Sequence, residues 1–368
     1  MGLVKLPEIK RRPSRPVRVG TVTIGGDAPV SVQSMTSTRT ADVAATLAQV
    51  RQLAQAGADL VRVAVPTRDD TAALRSIVRQ SPVPIIADVH FNFDRALEAI
   101  DAGAAKIRLN PGNISDRKQV AKVIAAAADA GTAIRVGVNE GSVVVRRASA
   151  QRRRELAQRL DELMERKLAE YIEQFEQSGF ANLVLSAKSR DPVTCVAVYR
   201  RLGARWDYPL HLGVTHAGTA QTGLVRSAAA LGALLAEGIG DTVRISFAGD
   251  PLPEVTAAVE LLASLRLRRR QGIDLIVCPT CGRVQTDIVP IAQEVRAALA
   301  DVRAPLTVAI MGCVVNGPGE ADSADVALCA GAGKGVLYLR GRKLRTVAQQ
   351  EMVAAVVKEV RRLAKRAR

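Results

Sequence analysis

Three cysteines stand where short apolar runs give way to turn residues. They are Cys278 and Cys281 in Cys278-Pro279-Thr280-Cys281, and Cys313 in Gly312-Cys313-Val314-Val315-Asn316-Gly317-Pro318-Gly319-Glu320. Thiolates in such turns favour soft-metal centres, either zinc or an iron–sulfur cluster. A structural zinc site usually shows a second Cys-x-x-Cys pair, and this chain has none. Three thiols with the carboxylate of Glu320 would leave one metal position weakly held, an arrangement suited to substrate chemistry. Cys329, in an apolar run, and Cys195, in a helical stretch, read as small buried hydrophobes. Five cysteines in a chain of 368 residues do not make a secreted disulfide framework.

A second set of reactive side chains ends a series of Val/Ile/Leu runs at 30–34, 60–65, 85–90, 106–110, 134–139, 183–186, 210–215 and 242–247. In order, these ends carry Gln33 and Ser34, Arg62, Asp88 and His90, Arg108 and Asn110, Arg135 and Asn139, Ser186 and Lys188, Thr215 and His216, and Arg244 and Ser246. One such arginine would be read as snorkelling or salt-bridged. Five converging cations, Arg62, Arg108, Arg135, Lys188 and Arg244, would repel one another unless an anion neutralised them. The planar guanidinium fork suits phosphate oxygens, so the expected ligand is a phosphorylated metabolite, and a diphosphate fits best. The turn Asn110-Pro111-Gly112-Asn113 adds backbone N–H groups to that anion site. His90, alone, would be a core histidine, but its place at a run's end shifts the balance toward a site role. His211, in the middle of its run, reads as structural.

The elements that must position these groups follow from period. Eight runs alternate with Ala/Leu-rich stretches of helical spacing, such as 40–56, 71–79 and 94–102, which stop at Gly57 and Gly103. Eight strand–helix units within residues 1–265 predict a (β/α)8 TIM barrel, typically ~250 residues, with a doubly wound sheet as the alternative. The pattern restarts after the basic linker 266–270. Residues 266–368 predict a smaller α/β domain with strands at 273–277, 306–311, 325–328 and 335–339 and helices at 286–299 and 348–364. The stretch 146–170 reads as a charged, solvated surface helix.

Composition narrows the function. The 48% hydrophobic content supports a large core, and the formal charge is +16. That charge is peripheral: residues 1–18, 146–170 and 340–368 carry +5, +3 and +8, which is the whole excess. Only ten residues are aromatic, too few for the stacking platforms of single-strand nucleic-acid binders. No apolar run reaches the ~18–20 residues of a membrane span, and the basic start precedes no apolar signal region, so a cytoplasmic location is expected.

Several motifs are shared, in order from about Arg11 to Arg345, with one enzyme family. They are Val32-Gln33-Ser34-Met35-Thr36, Ala87-Asp88-Val89-His90-Phe91, Arg108-Leu109-Asn110-Pro111-Gly112, Arg135-Val136-Gly137-Val138-Asn139, Glu237-Gly238-Ile239-Gly240-Asp241-Thr242 and the two cysteine motifs. Together they resemble the 4-hydroxy-3-methylbut-2-enyl diphosphate synthase family of the non-mevalonate isoprenoid pathway. The resemblance implies a TIM barrel joined to a small [4Fe–4S] domain, in a head-to-tail homodimer where one chain's cluster covers the other's barrel mouth. By that likeness Cys278, Cys281, Cys313 and Glu320 hold the cluster, with Glu320 giving way to the substrate. Arg62, His90, Arg108, Arg135, Lys188 and Arg244, with Asn139 nearby, fall on the diphosphate-binding positions. The implied reaction opens and dehydroxylates 2-C-methyl-D-erythritol 2,4-cyclodiphosphate with two electrons, delivered singly by ferredoxin or flavodoxin. An acidic carrier would be drawn to a +16 protein.

The chain departs from the family twice. The family's usual Thr-Glu-Ala-Gly is Thr215-His216-Ala217-Gly218 here, and the stretch after Gly141-Ser142 is replaced by the Arg-rich segment. Histidine also donates protons, so activity with altered pH dependence is expected of His216. A catalytically silent paralogue binding a phosphorylated metabolite is the alternative, and retention of all three thiols and Glu320 argues against it.

Overall fold

The computed structural model describes residues 8–89, 92–109, 117–143, 156, 158–313 and 317–366. The chain divides into two units, Met1–Arg268 and Arg269–Arg368.

The first unit opens with a hairpin, β1 (Val17–Val19) and β2 (Val22–Ile24), followed by the eight barrel strands. These are β3 (Ser31–Met35), β4 (Leu60–Ala64), β5 (Ile85–Asp88), β6 (Lys106–Leu109), β7 (Ala133–Asn139), β8 (Leu183–Lys188), β9 (His211–Leu212) and β10 (Thr242–Val243). They run parallel in the order β8-β7-β6-β5-β4-β3-β10-β9, and the parallel bridge Leu185↔Leu210 joins β8 to the β9 side of the ring. The eight expected strands are all present in this TIM barrel. The last two are shorter than the runs 210–215 and 242–247 because the chain beyond them keeps only single contacts, such as Arg244 N–H to the Leu212 carbonyl (3.0 Å) and Thr215 N–H to Ser189 (3.0 Å).

Alternation along the strands sorts the barrel's side chains. Val32, Val61, Val63, Ile107, Ile134, Val136, Leu185 and Val243 join the helices in the main core. Leu60, Ile86, Ala133 and Val184 instead form a separate core with Val17, Val19 and Ile24, so the β1–β2 hairpin plugs one end of the lumen. The plug was not predicted, because two three-residue strands around Gly20 carry too little periodic signal. The basic N-terminal arm is also structural. Arg11 pairs with Asp241 (2.8 Å), Ser14 donates to the same carboxylate (2.7 Å), and Arg12 donates to the carbonyls of Trp206 (2.7 Å) and Tyr208 (2.8 Å).

Local chemistry sets the helix ends. Thr67 and Asp70 form a capping box at Arg68–Gln80, Asp191 caps Pro192–Arg205 with Pro192 at the first turn, and Gly57 and Gly103 follow their helices at φ +109° and +88°. Of the charged segment 146–170, the helix Leu160–Gln177 is seen, while 146–155 and 157 lie outside the described residues. Among the described residues no helix is long and apolar enough to cross a membrane.

The second unit is a five-stranded sheet in the order β11 (Asp274–Val277), β12 (Thr307–Met311), β13 (Val326–Ala330), β14 (Lys334–Leu339) and β15 (Arg342–Ala348). The first three strands are parallel and the last two antiparallel. Helices Ile288–Ala298 and Met352–Arg366 cover one face through Val295, Val308, Ile310, Leu328, Val356 and Val360. Strand β15 falls where no element was expected, and the last helix begins at Met352 rather than 348. A two-residue turn, Arg340 (φ +47°) and Gly341 (φ +74°), makes the hairpin, and it lacks the Asn or Asp that usually announces such a turn.

Ile86 sits wholly buried between the strands and the plug. Ile86→Ala should lower the barrel's unfolding free energy by about 2–5 kcal/mol in denaturant titration, whereas Val225→Ala on an exposed helix face should change it by less than ~0.5 kcal/mol.

Candidate active site

At the C-terminal ends of the barrel strands lies a cavity of about 260 Å³, lined by Arg62, Asp88, Arg108, Arg135, Gly137, Val138, Asn139, Ser186, Lys188, Val214, Thr215, His216, Arg244 and Ser246. All five cations expected at the strand ends therefore meet in one chamber. His90 and Asn110, and the rest of the turn to Asn113, lie outside the described residues.

Arg62 and Arg135 are buried, and Arg108, Lys188 and Arg244 are half-buried. Among the described lining residues Asp88 is the single carboxylate, with Oδ1 3.6 Å from Arg108 Nη1 and 3.9 Å from Arg62 Nη1. Arg135 is 2% exposed and donates from Nη1 to Ser186 Oγ (2.9 Å). Arg62 points two nitrogens at the Met35 sulfur (3.0 and 3.1 Å), and Arg244 approaches that sulfur at 3.6 Å. A thioether is a weak acceptor, so these contacts orient the guanidiniums without neutralising them. Arg244 also has Glu254 at 3.6 Å, whose other oxygen accepts from Phe247 N–H (2.9 Å).

Burial is the first cause of the titration shifts and neighbouring cations the next. Desolvation, then Arg62 and Arg108, push Arg135 well below the ordinary arginine value. Desolvation, then Arg135 and Arg244, push the Lys188 amine well below the ordinary lysine value. Arg244 falls to about 10 by burial and by Arg62, with Glu254 opposing. Each shift means that an anion would be welcomed where the cations now face one another.

Two glycines keep the chamber open. A Cβ on Gly213 would sit 2.7 Å from Lys188 Nζ and 2.9 Å from the Arg244 carbonyl oxygen, and one on Gly137 would force the Ser186 hydroxyl, which accepts from Arg135, to move. These glycines, Met35 and Glu254 were not singled out in the sequence. The only signal for them was their place within or beside the strand-end motifs.

His216 lies at the cavity rim, exposed, with φ +51° and its Nδ1 3.1 Å from Thr215 Oγ1. A left-handed backbone at a non-glycine residue is uncommon and here accompanies an imidazole set against Thr215. His211 is fully buried in the barrel wall.

In the second unit Cys278 follows β11 and Cys313 follows β12. Val284 N–H to the Cys281 carbonyl (3.0 Å) closes a turn within the first loop, and Gln285 N–H to the Gly312 carbonyl (3.0 Å) brings the two loops side by side. Cys281 is exposed, Cys278 half-buried and Cys313 buried, and none is in a disulfide. Among the described residues no three potential ligands stand close enough together to hold a metal ion. The side chain of Glu320, at the end of the helix Gly317–Glu320, lies outside the described residues, as do 314–316. Cys329 is fully buried opposite Met311, its thiol pushed up to about 11 by burial and by Cys313, and Cys195 is likewise raised to about 11 by burial. Both are protonated hydrophobes, as expected. A larger cleft, about 870 Å³, is lined by Arg269, Arg270, Asp301, Arg303, Arg361 and Lys365 before β11 and β12, at the strand ends opposite the cysteines. Its Arg361 and Arg270 already pair with Asp301 and Asp274.

These features define a TIM-barrel protein with a cation-lined mouth, joined to a smaller cysteine-bearing α/β unit. The GcpE TIM-barrel domain family matches residues 14–259 and the GcpE protein C-terminal domain family matches residues 274–362, so the chain belongs to the GcpE family. It is 47% identical over 369 residues to a 4-hydroxy-3-methylbut-2-en-1-yl diphosphate synthase (flavodoxin) of Streptomyces avermitilis, covering 99% of this chain and 94% of that one. Enzymes of the same name from Salinispora tropica and Corynebacterium diphtheriae are 49% and 47% identical, covering 97% and 96% of this chain and 90% and 89% of theirs.

Pyrophosphate, a compact polyanion, should stabilise the first unit by ~2.7 kcal/mol at about 100 times its dissociation constant. Thermal unfolding with and without pyrophosphate reads this, and Arg135→Ala should remove most of the gain.

Proposed function

We propose that the protein catalyses the reductive ring opening and dehydroxylation of 2-C-methyl-D-erythritol 2,4-cyclodiphosphate to 4-hydroxy-3-methylbut-2-enyl diphosphate, in isoprenoid biosynthesis. The observation that carries this reading is the gathering of five cations in one chamber whose described lining holds a single carboxylate, in a chain nearly half identical to enzymes of that name over almost its whole length. The histidine at position 216 is the one feature that favours a silent paralogue, and against it the mouth keeps its cations and the second unit its three thiols.

The chain's residues divide the work. Arg62, Arg108, Arg135, Lys188 and Arg244 bind the two phosphoryl groups, and Asn139 and the family-matched His90 complete the binding set. Asp88 holds Arg62 and Arg108 in place without cancelling the ring. Ring opening leaves a new negative charge on the released diphosphate end, and preorganised, desolvated cations favour that charge more than water would. The substrate hydroxyl leaves as water, so the overall reaction consumes two electrons and one proton. His216, at the rim, is the proposed proton donor in the place of the family's glutamate.

Cys278, Cys281 and Cys313, with Glu320, are the proposed ligands of a [4Fe–4S] cluster. Their chemistry fits: three thiols outside any disulfide, on two loops joined by the Gln285 N–H to Gly312 hydrogen bond. When bound, the cluster supplies the reducing electrons one at a time. Flavodoxin is the proposed donor, with ferredoxin as the other candidate, and the +16 charge would attract an acidic carrier in a salt-dependent way. The expected assembly is a cytoplasmic homodimer in which the cysteine loops of one chain serve the mouth of its partner. Ile276 and Val277, 39% and 37% exposed on the edge strand beside Cys278, are apolar surface that such an assembly would cover.

Anaerobically reconstituted protein should convert the cyclic diphosphate with a reduced viologen dye; no turnover at full iron and sulfide content would defeat the reading. His216→Ala should lower kcat by ~10²-fold or more with little change in KM, and His216→Glu should restore turnover. Full activity in His216→Ala would end its proposed role.

A further inference from the structure

Below the mouth, the barrel's inner wall carries a polar layer that the reaction described above does not use. Lys106 of β6, in register with Ile86 of β5 and Ala133 of β7, is completely buried, and its Nζ meets no hydrogen-bond partner among the described residues. His211 of β9 is equally buried, with both ring nitrogens unpartnered, and Ser31, Gln33 and Thr242 add further unpartnered polar atoms. An isolated buried charge is unfavourable, whereas a neutral amine in such a layer is tolerated.

The charged groups that face this layer are Arg62 of β4, Asp88 of β5, Arg108 of β6, Arg135 of β7 and Lys188 of β8, with Arg244 just beyond β10. β3 contributes only Ser31 and Gln33, and β9 the imidazole of His211. Burial, then Arg135 and Arg62, push the Lys106 amine well below the ordinary lysine value. Burial, then Lys188 and Arg135, likewise push His211 down, which keeps it neutral. Two residues along a strand span about 7 Å, so a ligand held at Arg108 acts on Lys106 through space without touching it. An anion there would offset the repulsion from Arg135 and Arg62 and favour the ammonium form.

We propose that Lys106 is a proton-uptake site coupled to ligand binding: neutral in the empty barrel, it takes a proton from solvent and becomes an ammonium when a diphosphate occupies the mouth. The inference rests on the reading of the mouth as a cyclic diphosphate site. It makes Lys106 a positioning residue that adds a positive charge beneath the ligand only when the ligand is there. The sign of the pH dependence follows. The bound form holds one more proton, so affinity is greatest at low pH and weakens, by up to tenfold per pH unit, as pH rises between the free and bound titration points of Lys106.

The test is calorimetric titration of the cyclic diphosphate into holoprotein without reductant, at about pH 8, in buffers of different ionisation enthalpy. The ligand's phosphodiesters carry no titrating proton there, so uptake belongs to the protein. Wild type should take up about one proton more than Lys106→Met, and the variant's Kd should depend less on pH. Lys188 belongs to the proposed binding set, so any uptake there is common to wild type and Lys106→Met. His211→Gln should leave the difference intact. Lys106→Gln, with a polar end, is the second variant should Met be poorly tolerated. Binding with no uptake in wild type, or equal uptake in wild type and the Lys106 variants, would overturn the proposal. No binding to wild type would refute the cyclic diphosphate reading itself, and the inference would fall with it.

Discussion

Mutual repulsion among buried and half-buried cations is the interaction on which the rest of this barrel depends. Arg62, Arg108, Arg135, Lys188 and Arg244 are drawn inward by their strands, with Asp88 beside Arg62 and Arg108 and Glu254 beside Arg244. Desolvation makes each charge unfavourable and proximity adds to that, as the lowered positions of Arg135, Lys188 and Arg244 record. The fold therefore keeps a chamber rich in positive charge, which an entering anion would offset. A mouth with matched carboxylates would be more stable when empty and a poorer receptor for diphosphate.

The barrel withstands this because its stabilising contacts lie elsewhere. The outward faces of the strands bury a continuous Val/Ile/Leu/Ala core against the helices, and the opposite end of the lumen is sealed by Val17, Val19 and Ile24. Asp241 gathers Arg11, Arg12, Ser14 and the Leu210 amide at the same end, fixing the N-terminal arm. Between plug and mouth lie Lys106 and His211, polar groups that neither core absorbs. Contacts that fix the barrel and the polar groups of its mouth and inner wall are thus separated along the barrel axis.

Much of this was legible in the sequence, for physical reasons. Parallel strands buried on both faces read as unbroken apolar runs, so all eight barrel strands were found, and strand-end polarity marked the residues that line the cavity. Cys195 and Cys329 were correctly read as hydrophobes from their apolar neighbours. What was missed depended on three-dimensional proximity or on weak turn chemistry. The plug strands are too short for periodicity, Arg340-Gly341 is an unusual hairpin turn, and the basic arm that read as peripheral charge is partly bound to Asp207 and Asp241. Met35 and Gly213 shape the mouth through contacts with residues far away in sequence, and the inward direction of Lys106 shows only once the register of β6 is known.

Family membership and the chemistry of the mouth point the same way while resting on separate grounds: one on identity along the chain, the other on charge, burial and shape. The most direct test of the central claim is a crystal structure of the holoprotein with the cyclic diphosphate. Phosphoryl oxygens should lie within hydrogen-bonding distance of Arg62, Arg108, Arg135, Lys188 and Arg244. A ligand bound away from these side chains, or a mouth whose arginines have turned to carboxylates and left no anion site, would contradict the account.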